Sequence, residues 1–465
     1  MQNFFLEVEL SSILTAEAAS VTPFRILTLL IFAAAVIHTL MANHFTSLSE
    51  KVAGRHAKKM KTKPHYKQVS FLAEVLHFFG EIEVVFALWV VPLMFVVTIF
   101  YGWDDTIQYL NSRVYIEPLF IVVMMSLAAT RPIIKLAEKG VHAIAKFFGD
   151  TKAVWWLTIL TLGPLLGSVI TEVAAITIAA VLLKEKLFIY GPSKRLAYGT
   201  LGLMFVHFSV GGTLTNFAAP PALTLSRCWE WDVFDFLSQF GWQVLFGIFF
   251  LNVIYFLYYQ KDFKQLKKVK HKEEKSLEAD EHKGPVPLWV TLCHLVFLVW
   301  IIMMAEYPPL FLGGYLVFLG FHQATRYHQY VLNLKRPMMV GLFLAGLVIH
   351  GGFQGWWIEP LLGDLGYGAM MLVGTVLTAF NENTTVAHLA CLLSDLSPRL
   401  QYAIASGLVA GGGLTIIAHA PNPVGQSLVR KYFRHGISPW SLFLSALIPT
   451  VVFLGIFYFF PSVKV

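Results

Sequence analysis

The chain has 465 residues, of which 56% are hydrophobic and 14% charged, and its mean hydropathy is +0.64. Soluble domains of that length need more polar residue to solvate their surfaces, so the composition excludes a soluble multidomain enzyme and defines a polytopic membrane protein. The formal net charge is +7, but Lys and Arg lie in short blocks between apolar runs, as cytoplasmic loops do, and imply no nucleic-acid partner.

Before the first apolar run at Ile26 stand Glu7, Glu9 and Glu17 with only Arg25 against them. That is the wrong charge for a signal peptide, and no cleavage is expected. A bilayer core takes about 20 apolar residues as helix. On that ruler spans are predicted near Ile26 to His44, Phe71 to Tyr101, Tyr115 to Ile134, Leu196 to Phe217 and Leu237 to Tyr259. Lys261 to Gly284 is a mixed-charge stretch that cannot enter lipid and forms a linker in water. Beyond it, spans are predicted near Pro287 to Ala305, Tyr307 to Phe321, Pro337 to Phe353, Leu400 to Ala420 and Ser438 to Phe460. Cys228, Cys293 and Cys391 are far apart in apolar or aromatic surroundings, so neither a disulfide framework nor a metal spacing is expected.

Two stretches repeat. Thr171 to Leu183 aligns without a gap on Asn381 to Leu393, at an offset of 382 − 172 = 210 that superposes Glu172 on Glu382. Gly211 to Pro221 aligns on Gly411 to Pro421, at 411 − 211 = 200. Each half therefore carries an acidic apolar segment followed by a Gly-rich one closed by Pro, an arrangement that points to the substrate site of a secondary transporter.

Basic blocks at Lys51 to Lys67, Arg131 to Lys152, Lys184 to Arg195, Lys261 to Lys283, Arg326 to Arg336 and Arg430 to Arg434 are expected in the cytoplasm. Acid-rich segments around Asp104-Asp105, Glu230 to Asp235, Glu306, Glu359 to Asp364 and Asp395 are expected outside. Basic loops flank Ala153 to Leu183 at both ends, so this stretch enters and returns on one side as a hairpin. Gly366 to Leu393, between acidic loops, does the same from the other side. The alternative is that each acidic segment is an ordinary single span. The expected fold is an all-α polytopic membrane protein with about ten transmembrane helices and two opposed re-entrant hairpins, built from inverted-topology repeats. The expected divisions are 1–70 (tail, first span, basic loop), 71–260 (first repeat, hairpin 153–183), 261–286 (charged cytoplasmic linker) and 287–465 (second repeat, hairpin 366–393).

A carboxylate at the bilayer centre costs on the order of 2.5 to 3.5 kcal/mol, so Glu172 and Glu382 call for a partner, a proton or a cation. Asn381, Asn383, Thr384 and Thr385 offer hard oxygens suited to an alkali cation and are also turn-formers, although Asn-Glu-Asn can merely cap a helix. Thr171 is the main oxygen-bearing neighbour of Glu172. Thr213, Thr215, Asn216, Thr415 and Asn422 line the expected breaks, where unwound backbone frees carbonyls for a cation. His388 and His419 fall in the repeated segments and can relay protons. At about 100° per residue Glu74, His77 and Glu81 share one face of the span predicted there, as a metal site or, with Glu81, a polar seam carrying protons.

Phe380-Asn381-Glu382-Asn383-Thr384-Thr385, with Gly411 to Pro423 and the pair Ile170-Thr171-Glu172 and Gly211 to Asn216, resembles the hairpin and broken-helix signatures of the ion transporter superfamily. That group includes sodium/proton antiporters, arsenite permeases and sodium-coupled dicarboxylate carriers, and the whole chain is most similar to a bacterial sodium/proton antiporter family within it. The resemblance implies two opposed hairpins whose tips meet broken helices near the midplane, moving by alternating access. It places Thr171, Glu172, Asn381, Glu382 and Asn383 at hairpin tips, and Thr215, Asn216 and Thr415 at helix breaks. Where dicarboxylate carriers commonly have Ser-Asn-Thr, this chain has Thr-Glu-Val and Asn-Glu-Asn. Two added carboxylates attract cations and repel a dicarboxylate. The expectation is Na⁺/H⁺ antiport in the cell inner membrane with a cytoplasmic central loop and no cofactor. Its partners are the lipid bilayer and small inorganic ions, and a homodimer stays open. The alternatives are an ion-coupled anion or arsenite carrier of the same fold and, from another class, a membrane metalloenzyme.

Overall fold

The computed structural model describes residues 22–60, 70–266, 284–363, 365–393, 396–433 and 436–462. The N-terminal tail and most of the expected linker fall outside these residues. In chain order the helices are α1 (Pro23–Met60), α2 (Phe71–Phe79), α3 (Ile82–Tyr101), α4 (Trp103–Ser112), α5 (Ile116–Ala128), α6 (Arg131–Phe147), α7 (Lys152–Ile170), α8 (Glu172–Lys186), α9 (Lys194–Gly211) and α10 (Pro220–Trp229). They continue as α11 (Val233–Gln265), α12 (Leu288–Met303), α13 (Pro308–Ala324), α14 (Lys335–Gly351), α15 (Gly355–Leu362), α16 (Tyr367–Phe380), α17 (Asn383–Ala390), α18 (Pro398–Gly411), α19 (Asn422–Val429) and α20 (Pro439–Phe459). There is no strand among the described residues.

Among the described residues, five helices are long and apolar enough to cross a bilayer: the Pro23–Ala42 part of α1, the Glu83–Tyr101 part of α3, α7, α11 and α20. Counting α4 with α5 and α14 with α15 as broken spans makes seven, and α12 and α16 are shorter apolar helices. The protein is an all-α, multi-pass membrane protein.

The chain forms two compact units, one of Met1–Pro118, Met338–Asp364 and Leu392–Ser394, the other of Leu119–Pro337, Leu365–Cys391 and Asp395–Val465. In the first unit, Phe24, Leu93, Val97, Tyr109, Ile349 and Phe353 form a buried apolar cluster. His38 ties α1 to the α2–α3 segment: Trp89 donates to its Nδ1 at 3.0 Å, which leaves the Nε2 proton to donate to the Phe79 carbonyl at 2.8 Å. One expectation is corrected here. The predicted span Phe71 to Tyr101 is broken, because α2 ends at Phe79 and Glu81 occupies the N-cap position of α3. The helical stripe joining Glu74, His77 and Glu81 therefore stops at Gly80; Glu81 stays 3.4 Å from His77, and no group of three metal-ligating side chains forms among the described residues. The first span agrees with the apolar part of α1, Pro23–Ala42, while the helix itself, 38 residues in all, continues to Met60, since its polar continuation keeps good helix formers such as Leu48, Glu50, Lys51 and Ala53.

In the second unit α7 folds back on α8, and α16 packs along α18. The latter approach is close enough that a Cβ on Gly407 would stand 2.1 Å from the Met371 carbonyl oxygen. Phe240 stacks on Tyr402 at 5.2 Å, and Phe453 and Phe457 of α20 pack beside them. The predicted spans Leu196 to Phe217 and Leu400 to Ala420 both stop early, at Gly211 and Gly411. The segment expected as linker is helical through Gln265.

Candidate functional site

The first acidic segment is a helix restart. α7 ends at Ile170 and α8 begins at Glu172, with the reversal made at Thr171, whose φ of 74° is unfavourable for a β-branched residue. Such backbone is held only where its surroundings enforce it, and it clusters at functional sites. The restart puts Glu172 in the first turn of α8 with its side chain 1% exposed. Its Oε2 lies 2.6 Å from Nε2 of His419, itself 1% exposed, so the acid and the imidazole form a buried hydrogen-bonded pair. Its Oε1 is buried without a protein partner. Gly212 is what admits this carboxylate, because a Cβ there would lie 1.9 Å from Glu172 Oε1.

The second acidic segment is also a helix restart, but its carboxylate is used differently. α16 ends at Phe380, Asn381 is extended, and Glu382 N-caps α17. Glu382 Oε2 accepts from the Thr384 and Thr385 amides at 2.8 and 3.3 Å, and Oε1 accepts from the Thr384 hydroxyl at 2.8 Å. Asn381 Oδ1 accepts from the Glu382 amide at 2.9 Å. Asn383 is fully buried and neither end of its side-chain amide meets a protein partner; the same holds for the Thr385 hydroxyl.

Each Gly-rich segment is a helix break that meets a restart. After α9 the chain makes a short 3₁₀ turn over Gly212–Leu214, and Thr215 is extended before α10 starts at Pro220. Thr215 donates to the Ser168 carbonyl at 2.7 Å, and the Ser168 hydroxyl donates to the Gly211 carbonyl, which binds this break to the end of α7. Asn216 donates to the Ser226 hydroxyl at 3.3 Å. After α18 the chain is irregular until α19 starts at Asn422. Thr415 donates to the Ala379 carbonyl at 2.9 Å, and the Asn383 amide donates to the Ala418 carbonyl at 2.9 Å, binding this break to α16 and α17. Asn422 Nδ2 donates to the carbonyls of Gly412 and Thr415 at 2.8 and 2.9 Å, while its Oδ1 is buried without a protein partner.

Two of the contacts between the halves lie at the site: Ser209 of α9 donates to the Val409 carbonyl of α18 at 2.7 Å, and His419 of the second break reaches Glu172. Among the remaining candidates, His388 is half-buried on α17, and Glu81 belongs to the other unit, 3.4 Å from His77 at that unit's α2–α3 break. Ser168 and Ser209 are participants that the sequence reading missed; each is one of several hydroxyls in its helix, and only Ser168 has a hydroxyl counterpart in the other half, Thr378. The expectation of unlinked cysteines is corrected, since Cys228 and Cys391 form a disulfide. Their 163-residue separation hides the pairing until α10 and α17 are seen side by side.

Many membrane-crossing helices, broken helices and two buried glutamates at helix restarts define a multi-pass membrane transporter. The chain belongs to the family described as "Putative Na+/H+ antiporter", which matches it over residues 23–460. No curated protein is similar enough to this chain to match it.

Proposed function

We propose that this protein is a secondary active transporter of the inner membrane that exchanges Na⁺ for H⁺ by alternating access, its hairpins forming inverted repeats of the ion transporter superfamily. The observation that carries the reading is the buried cluster around Glu172. A carboxylate–imidazole pair is joined through the backbone to this region, the Asn422 amide donating to the His419 carbonyl and the Asn383 amide to the Ala418 carbonyl, and the side-chain oxygens of Asn383, Thr385 and Asn422 are buried without protein partners. Leaving such an oxygen unsatisfied costs about 1–3 kcal/mol, and hard oxygens with a nearby carboxylate are what an alkali cation takes. Glu172 and His419 hold the proton. Glu382, Asn383, Thr385 and Asn422, with the carbonyls freed at the two breaks, hold the cation, and Thr171, Asn381, Thr384, Thr215, Asn216 and Thr415 shape the site. Binding a cation to this pair of carboxylates disfavours the proton, and that competition is the coupling.

The same geometry argues against the anion carrier. Helix N-termini bind anions through free N–H groups, yet α10 starts with Pro220-Pro221, α19 has Pro423 at its second residue, and the first amides of α17 are taken by Glu382. The test is a proteoliposome assay with a pH dye in the lumen. A Na⁺ pulse outside drives protons out of the lumen, and Glu172→Gln or Glu382→Gln each abolishes the response. Exchange retained in either variant rejects the site assignment, and Na⁺-coupled anion uptake rejects the antiport reading itself.

A further inference from the structure

The half-helices α10 and α17 both begin at the candidate site, one after the Thr215–Asn216 break and the other at Glu382, and they pack against each other. Cys228 stands near the end of α10 and Cys391 just after α17, with their Cα atoms 5.7 Å apart and their sulfurs bonded. The Thr224 carbonyl of α10 lies 3.8 Å from Cys391 Sγ, so the contact extends a turn back toward the site. Each half-helix thus has one end at the ion-binding residues and the other at a covalent cross-link between the two halves of the chain. Cys228 is exposed and Cys391 partly so, which leaves the sulfurs accessible to a reagent. Cys293 is a free thiol.

We propose that Cys228–Cys391 is an oxidative modification site: a clamp, made by a disulfide-donating thiol oxidase, that holds α10 and α17 as one body and preorganises the cation site at their N-termini. In the reaction the Cys228 thiolate attacks the donor's disulfide and forms a mixed disulfide. The Cys391 thiolate then displaces the donor sulfur. The protein loses two electrons and two thiol protons, and the donor leaves as the dithiol, so the exchange balances. Disulfides persist in oxidising compartments and not in the cytoplasm, so the far ends of α10 and α17 face away from the cytoplasm. That is the side on which the acid-rich segments at Glu230 to Asp235 and Asp395 are expected. The covalent part of the proposal stands on the structure alone, while its effect on transport rests on the antiport reading.

Two measurements on the full chain test it. Purified under non-reducing conditions with free thiols blocked, the protein yields a Cys228–Cys391 cross-linked peptide by mass spectrometry, and only Cys293 is alkylated. Free Cys228 and Cys391 in that sample overturn the proposal. So does modification of the two reduced thiols by a membrane-impermeant maleimide only from the cytoplasmic side. In proteoliposomes, reduction with a phosphine raises the Na⁺ concentration for half-maximal proton release by about three- to tenfold, the loss expected when a preorganised site is freed. The Cys228→Ser/Cys391→Ser variant shows the raised value without reductant and does not respond to it. Exchange indifferent to the phosphine in the wild-type chain rejects the clamp's role. Absence of any Na⁺-driven proton release, with the cross-linked peptide present, rejects the antiport reading and leaves the cross-link standing.

Discussion

At Gly212 one hydrogen in place of a methyl group decides whether Glu172 can occupy its position. Gly212→Ala puts a Cβ within 1.9 Å of the carboxylate oxygen, and the side chain must swing away from His419. A misplacement of about 1 Å costs on the order of 100-fold in rate, so proton release by Gly212→Ala falls by about that factor in the proteoliposome assay. Gly140→Ala is the control, since its added Cβ meets nothing within 4 Å, and it retains wild-type exchange. The two glutamates were legible because a charged residue in an apolar stretch is conspicuous and this one occurs twice. The imidazole that answers Glu172 was named among proton-path candidates without a partner, since 247 residues separate the two. Local pattern carries no information about a contact made by packing at that distance.

At the scale of elements, the matching glutamates do different work. Glu172 opens α8 and turns its carboxylate to another element, while Glu382 spends three hydrogen bonds on the first turn of its own helix. Losing an N-cap costs about 1–2 kcal/mol. Glu382→Ala therefore lowers the thermal midpoint of the detergent-solubilised protein, whereas Glu382→Gln, which keeps an acceptor oxygen, shifts it less. Both lose exchange, so the pair of variants separates cap from ion site. The breaks at Gly211 and Gly411 could be read from glycine and proline punctuation, which acts locally. The break between α2 and α3 could not: a single Gly80 in an apolar run is usually tolerated in a helix. There the chain turns because Glu81 is extended and Thr46 of α1 donates to the Gly80 carbonyl at 3.3 Å, a contact from another helix.

For the molecule as a whole, the proposed opposed hairpins predict a measurable asymmetry of access. Lys186→Cys and Asp395→Cys, introduced singly with Cys293→Ser, react with an impermeant maleimide from opposite sides of the membrane. Labelling of both from one side overturns the inverted arrangement. The helical class followed from composition, because a chain this apolar has few other ways to satisfy its backbone in lipid. The division into contact units did not follow, because α14 and α15 join α1 to α4 across more than two hundred residues of chain.

The bond between Glu172 and His419 also bears on descent. At the offset of 200 that superposes the two glycine segments, the position matching His419 is 419 − 200 = 219, an alanine. The first half thus supplies an acid and the second supplies both an acid and the base that answers it, with no reciprocal pair in the opposite direction. Two copies of the first half would bury an unanswered carboxylate, at a cost of several kcal/mol, so whatever symmetric ancestor the repeats record, the present halves have become complementary and neither can substitute for the other.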